Sequence, residues 1–217
     1  MSERASERLR RTAEADWRAA VEHRFARDWA AGHVDHDVLR RYLVQDYQFI
    51  DGFVALLAAT IHAAPSLKQR IVLGRFLGMV VADENTYFQR SFDALDVPQA
   101  ERERPVLLEA TEGFRDLMRA AADSGDYAQM MAVLTVAEWV YLSWAEPIAG
   151  RAPDWFVYRE WVELHSGPAF EAWVGFLRDE LDRSFDALDP PHQDAVAHTF
   201  RCAVALERAF FDAAYSG

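Results

Sequence analysis

Three acidic residues sit where an acid is costly. On a helix, residues three, four, seven and eleven apart share a face. Asp46 shares its face with Leu39, Tyr42, Leu43, Phe49, Ile50, Phe53 and Leu57. Glu138 lies among Met131, Leu134, Tyr141, Leu142 and Ala145. Glu207 lies among Val196, Phe200, Ala203, Val204, Phe210, Phe211 and Ala214. An ionised carboxylate in such surroundings costs several kcal/mol unless it is hydrogen-bonded, paired or protonated. Any one of the three fits a structural acid tied to a local partner, and Tyr141 is an obvious one for Glu138. Together, on three helices, they suggest one polar pocket inside a bundle. Desolvated acids clustered there would have raised pKa values, suited to general acid/base work near neutral pH.

The histidines say less. His165 stands at a helix end beside Ser166-Gly167, placed to look into a cavity or to cap a carbonyl. His62, His192 and His198 lack a partner pattern. Asp194 and His198 are four apart, but His198 and Glu207 should point to opposite sides of their helix, so no metal site is expected. No Gly-rich phosphate loop, Cys-x-x-Cys or Gly-x-Ser-x-Gly occurs, and no cofactor is expected.

Helices must position these groups. The chain shows neither sustained period-two alternation nor an Asn-Gly or Asp-Gly hairpin signal, so an all-α fold is predicted. The expected helices run roughly over 7–31, 35–64, 66–95, 106–122, 127–145, 154–165, 168–185 and 190–215. Their punctuation is Gly32, Pro65, Asp96-Val97-Pro98, Ser124-Gly125-Asp126, Pro147, Ser166-Gly167-Pro168 and Pro190-Pro191. With short joins and no repeats, residues 1–217 read as one domain, a bundle of seven to eight helices.

The bulk numbers set outer bounds. Apolar residues make up 51% of the 217, enough for a sizeable core. A formal charge of −12 argues against a nucleic-acid partner, which needs a basic footprint. No apolar run approaches the roughly 18 residues of a membrane span. The N-terminus is charged from Glu3 onward, without the pattern of a signal peptide. The single Cys202 cannot form an internal disulfide, and a cytoplasmic setting is expected.

In order and spacing, four segments resemble the TenA/thiaminase II family. They are Tyr42-Leu43-Val44-Gln45-Asp46-Tyr47, Glu138-Trp139-Val140-Tyr141, Trp161-Val162-Glu163-Leu164-His165-Ser166-Gly167 and Leu206-Glu207-Arg208-Ala209-Phe210-Phe211. The resemblance implies a heme-oxygenase-like helical fold, a homo-oligomer (tetramer or dimer), and hydrolysis of aminomethyl-pyrimidine breakdown products of thiamin. The family's pyrimidine-contacting aspartate falls on Asp46, its late glutamate on Glu207 and one tyrosine on Tyr141. Tyrosines of the cysteine branch map to Phe49, Phe114 and His165, and the cysteine itself to Ala137. Glu138 matches the branch in which a glutamate marks this helix.

The resemblance therefore implies Glu138, Glu207 and Asp46 as catalytic groups. Asp46, Phe49, Tyr141, His165, Phe114 and Tyr47 would line the site for a small heteroaromatic substrate. Alternatives are a non-catalytic binder of an aromatic metabolite, a carboxylate-bridged iron oxygenase on the same fold, and a helical oligomerisation protein without a pocket.

Overall fold

The computed structural model describes residues 3–216; Met1, Ser2 and Gly217, at the ends of the expected one-domain span, lie outside the described residues. Among the described residues the regular structure is helical throughout.

The fold is organised around α9 (Tyr127–Ala145). Its sequence is apolar on nearly every face, so it cannot lie at a surface. Asp126 caps its N-terminus, accepting from the backbone N–H groups of Ala128 and Gln129. Buried residues cover its whole circumference from Met130 to Tyr141. Around it pack α4 (His36–Ala63), α8 (Glu109–Ser124), α11 (Gly167–Asp186) and α12 (Pro190–Tyr215). Glu138 thus stands on the innermost helix of the protein.

The long helices begin and end where the sequence says they should. Asp35 caps α4, which stops before Pro65, and Asp189 caps α12 ahead of Pro190. Gly125 ends α8 in the left-handed region, with φ 66°. A short helix absent from the expected set, α7 (Gln99–Glu103), precedes α8, and α10 (Phe156–Leu164) precedes α11.

Two expected helices are interrupted. The span 7–31 is three segments: α1 (Ala5–Thr12), α2 (Glu14–Val21) and α3 (Arg24–Ala31). The breaks at Ala13 and Glu22 let the chain bend around the bundle. α1, with Leu9 buried, packs on α11 and α12, Trp17 stacks edge-on to Trp139 of α9, and Phe25 packs on Tyr42 of α4. His23 makes the second break stable, its ring nitrogen accepting from Phe25 N–H. Gly32 closes α3 with φ 68°, and a Cβ there would come within 3.0 Å of Pro153.

The span 66–95 is also not uniform. After α5 (Leu67–Met79) the helix widens into a π-helical turn, Val80–Glu84, before continuing as α6 (Asn85–Ala94). Such turns insert a residue into the ladder and often occur at functional sites. This one buries Val80 and Glu84 while Val81, Ala82 and Asp83 face solvent.

Candidate active site

Alongside α9 lies an enclosed cavity lined by Asp46, Phe49, Ile50 and Phe53 of α4, Phe76 and Met79 of α5, and Glu84 of the π turn. Ala137, Glu138 and Tyr141 of α9 complete one wall; Trp161, Leu164, His165 and Phe170 form the other. Aromatic and aliphatic faces surround three carboxyl groups, and no lysine or arginine takes part. The cavity offers about 30 Å³ to the centres of water molecules, room for only a few waters. A guest larger than that would have to displace side chains.

Four acids converge on this centre. Asp46, Glu84, Glu138 and Glu207 are 4%, 6%, 6% and 2% exposed. Desolvation dominates each of them. It pushes Asp46 up to about 7, with the Tyr42 hydroxyl pulling partly back. It pushes Glu138 up to about 8, offset in part by the nearby Trp173 indole, whose N–H makes no well-aligned hydrogen bond. Glu84 lies well above the ordinary carboxylate range through burial and then the fields of Glu138 and Asp46. Glu207 is likewise raised by burial, then by Asp46 and Glu138. Asp46 and Glu138 thus titrate near neutrality rather than near pH 4, and burial shifts Glu84 and Glu207 in the same upward direction.

Two of these acids hold orphaned acceptors. Asp46 Oδ2 and Glu207 Oε1 are buried without a hydrogen-bond partner. Each such atom costs about 1–3 kcal/mol, which a proton or a ligand donor can offset. Tyr42 Oη lies 2.8 Å from Tyr141 Oη, one turn before Asp46. Tyr141 donating to Tyr42, and Tyr42 to Asp46, would use each hydroxyl proton once.

His165 ends α10. Its Nδ1 lies 2.9 Å from the Trp161 carbonyl, which fixes the proton there and leaves Nε2 as an acceptor. Burial holds its pKa down to about 4, so the ring is neutral at pH 7. The ring stands 4.9 Å from Tyr141 and 5.2 Å from Phe170. Glu146 anchors the corner beyond it by accepting from the Gly167 N–H at 2.7 Å.

The structure thus brings Asp46, Phe49, Glu138, Tyr141 and His165 into one lining. Glu207 borders Asp46 and Glu138 electrostatically but is not part of the cavity surface. Phe114 sits behind Phe49, edge to face at 4.9 Å, and supports that wall instead of lining it. Tyr47 is turned away: one residue past Asp46 is about 100° around the helix. Its hydroxyl donates to Asn85 Oδ1 at 2.9 Å, and its ring packs on Phe88 and Phe92 beside an open surface groove.

Glu84 was not among the expected residues. It shares a face with Leu73, Leu77, Val80, Tyr87, Phe88 and Ser91, the same signal that marks the other three acids. Its neighbours Asp83 and Asn85 disguise it as part of a polar surface patch. The remaining candidates for other chemistry lie apart. Among the described residues, no group of three or more His, Cys, Asp or Glu side chains is arranged to hold a metal ion. Cys202, on α12, lies 3.5 Å from His198 Nε2 and does not line the cavity.

Residues 10–217 match the model of the TENA/THI-4/PQQC family, and the chain belongs to that family. An aminopyrimidine aminohydrolase of Helicobacter pylori is 21% identical over 212 residues, covering 97% of this chain and 98% of the relative. An aminopyrimidine aminohydrolase of Bacillus subtilis is 23% identical, covering 84% and 76%. A TenA homologue from P. horikoshii OT3 superposes with a TM-score of 0.85 at 22% identity, covering 99% of both chains. A putative TenA-like thiaminase from Sulfolobus solfataricus superposes with a TM-score of 0.81 at 16% identity, covering 97% and 95%. The fold is the heme-oxygenase-like helical one that the resemblance implied. No helix among the described residues is long and apolar enough to cross a membrane.

Proposed function

We propose that this protein is a hydrolase of aminomethyl-pyrimidine, or N-formyl aminomethyl-pyrimidine, breakdown products of thiamin. It would release the amine and yield the hydroxymethyl-pyrimidine, with carboxyl groups in place of a cysteine nucleophile. The observation that carries this reading is the convergence of Asp46, Glu138, Tyr141 and His165 on one enclosed, aromatic-walled cavity without a cationic side chain. A planar nitrogen ring buries its faces against Phe49 and Trp161 and offers N–H donors to acids that otherwise lack partners. The two curated relatives bear the name of that activity.

In this mechanism Asp46 accepts from the ring's exocyclic amine, and Glu207 behind it shares the proton load. Glu138 is the acid/base. Near neutral pH a carboxyl titrating at about 8 is mostly protonated, so it can donate to the departing nitrogen. The resulting carboxylate then takes a proton from the water that completes the hydrolysis, restoring the acid. Tyr141 and the Nε2 of His165 orient that water. Phe49, held by Phe114, forms one face of the ring slot; Tyr47 has no part in it.

The branch with glutamate in place of the cysteine is the one that fits. Ala137, the position of the missing thiol, presents a methyl group to the cavity. That same methyl favours a second reading, a non-catalytic binder of the same rings. One domain, a cytoplasmic setting and a homo-oligomer complete the proposal.

Incubation with a panel of aminopyrimidines and their formyl derivatives, following ammonia and formate, tests it. The hydrolase reading expects ammonia from at least one amine, lost in Glu138→Gln with ligand binding kept. Tight binding without product after long incubation would favour the binder. Undiminished turnover in Glu138→Gln would refute the role of Glu138.

A further inference from the structure

The π turn supplies an acid for which the mechanism above has no use. Glu84 is 6% exposed and lines the cavity. Among the described residues, no protein group donates a hydrogen bond to its carboxyl. Its position is built: the widened turn buries Val80 and Glu84 in succession while the three residues between face solvent.

The lining has acceptors in excess. His165 Nε2 accepts, since Nδ1 is committed to the Trp161 carbonyl, and Asp46, Glu84 and Glu138 each keep an accepting oxygen when protonated and gain more when ionised. The Tyr141 hydroxyl is engaged with Tyr42. No cationic side chain lines the space. Positive charge must therefore arrive with the ligand. A ring amine satisfies Asp46 and leaves Glu84 still open.

We infer that Glu84 contacts the amine on the ligand's side arm and makes the cavity prefer a primary amine to a hydroxyl on the same ring. An aminomethyl group is held as an ammonium, its third proton being the one that Glu138, or solvent in its absence, supplies to the nitrogen, and so brings three donors and one positive charge. A hydroxymethyl group brings a single donor and no charge. The two ligands differ only at that position, so discrimination falls to the acid facing it. The preference would also help the hydroxymethyl product to leave. This inference rests on the reading of the cavity as an aminopyrimidine site, and its test separates the two.

Calorimetric titration of an aminomethyl-pyrimidine and the matching hydroxymethyl-pyrimidine is run in the Glu138→Gln protein, where the amine should survive. Roughly tenfold tighter binding of the amine is expected, a charge-assisted bond's worth. Adding Glu84→Gln should abolish that preference while leaving hydroxymethyl-pyrimidine affinity within about twofold and the melting midpoint in place. Glu84→Asp, which keeps the carboxyl group, should retain part of the preference. It also decides the matter if Glu84→Gln fails to fold, since loss of all preference in a folded Glu84→Asp supports the contact and full preference opposes it. A preference that survives Glu84→Gln, or no preference in the Glu138→Gln protein, overturns the inference and leaves the amine-releasing reading standing. Failure of both ligands to bind overturns both.

Discussion

Glu138 on α9 and Glu180 on α11 are both buried glutamates on helices that pack against each other, yet their surroundings differ completely. Glu180 Oε1 accepts from Gln69 Nε2 at 3.2 Å, and its Oε2 from Tyr127 Oη at 3.1 Å and from Arg183. Three side chains from three helices pin it. Glu138 has no such set; its principal polar neighbours are Trp173 and other acids. Burial is common to both, and partnering separates them. An acid whose partners are all supplied by the protein is a fastener, whereas one left short of donors is poised for something else.

The contrast is open to direct tests. Glu138→Gln should lower amine release by about 10²–10⁴-fold in a steady-state ammonia assay, while Glu180→Gln stays near wild type. Equal losses would erase the distinction. Stability against pH should divide the two regions next. Asp46 and Glu138 have folded pKa values raised to about 7 and about 8 from 3.8 and 4.5. The folded state therefore binds more protons than the unfolded chain between those limits, and stability falls as pH rises from about 5 to 8. Each group contributes a slope of up to about 1.4 kcal/mol per pH unit over its own window. Denaturant midpoints in that range should show the decline, Glu138→Gln should flatten it, and Glu180→Gln should not.

Smaller effects sharpen the picture. Glu180→Ala should destabilise by about 1–3 kcal/mol, since it strands the donors of Gln69, Tyr127 and Arg183. Glu207→Leu should be neutral or stabilising in the same urea titration, because it removes an orphaned acceptor from an apolar setting. Tyr42→Phe should cost about 0.5–1.5 kcal/mol and raise the Asp46 pKa further, seen as an upward shift of any acidic limb in the pH–rate profile.

Much of this was legible before any coordinates. Asp126, Pro65 and Asp189-Pro190 announce their helix ends through local chemistry, and α9 and the expected helix 127–145 coincide. Asp46 and Glu138 were marked by apolar periodicity alone. The breaks at Ala13 and Glu22 carry no glycine or proline, because they answer to the shape of the bundle they wrap. The π turn likewise leaves no local signature, and Glu84 hid between polar neighbours. Periodicity reports which way a residue points on its own helix, not which neighbour it meets. The family resemblance carried Tyr47 and Phe114 into the expected lining, but one faces Asn85 and the other stands behind Phe49.

The tightness of the cavity has an optical consequence. Trp161 forms part of its wall, with Tyr87 stacked at 5.1 Å and His165 at 4.2 Å. Any flat guest that parts these walls must come within contact of that indole. A ring bound as proposed should therefore change the ultraviolet emission of Trp161, one of the chain's seven tryptophans, and report occupancy without a label.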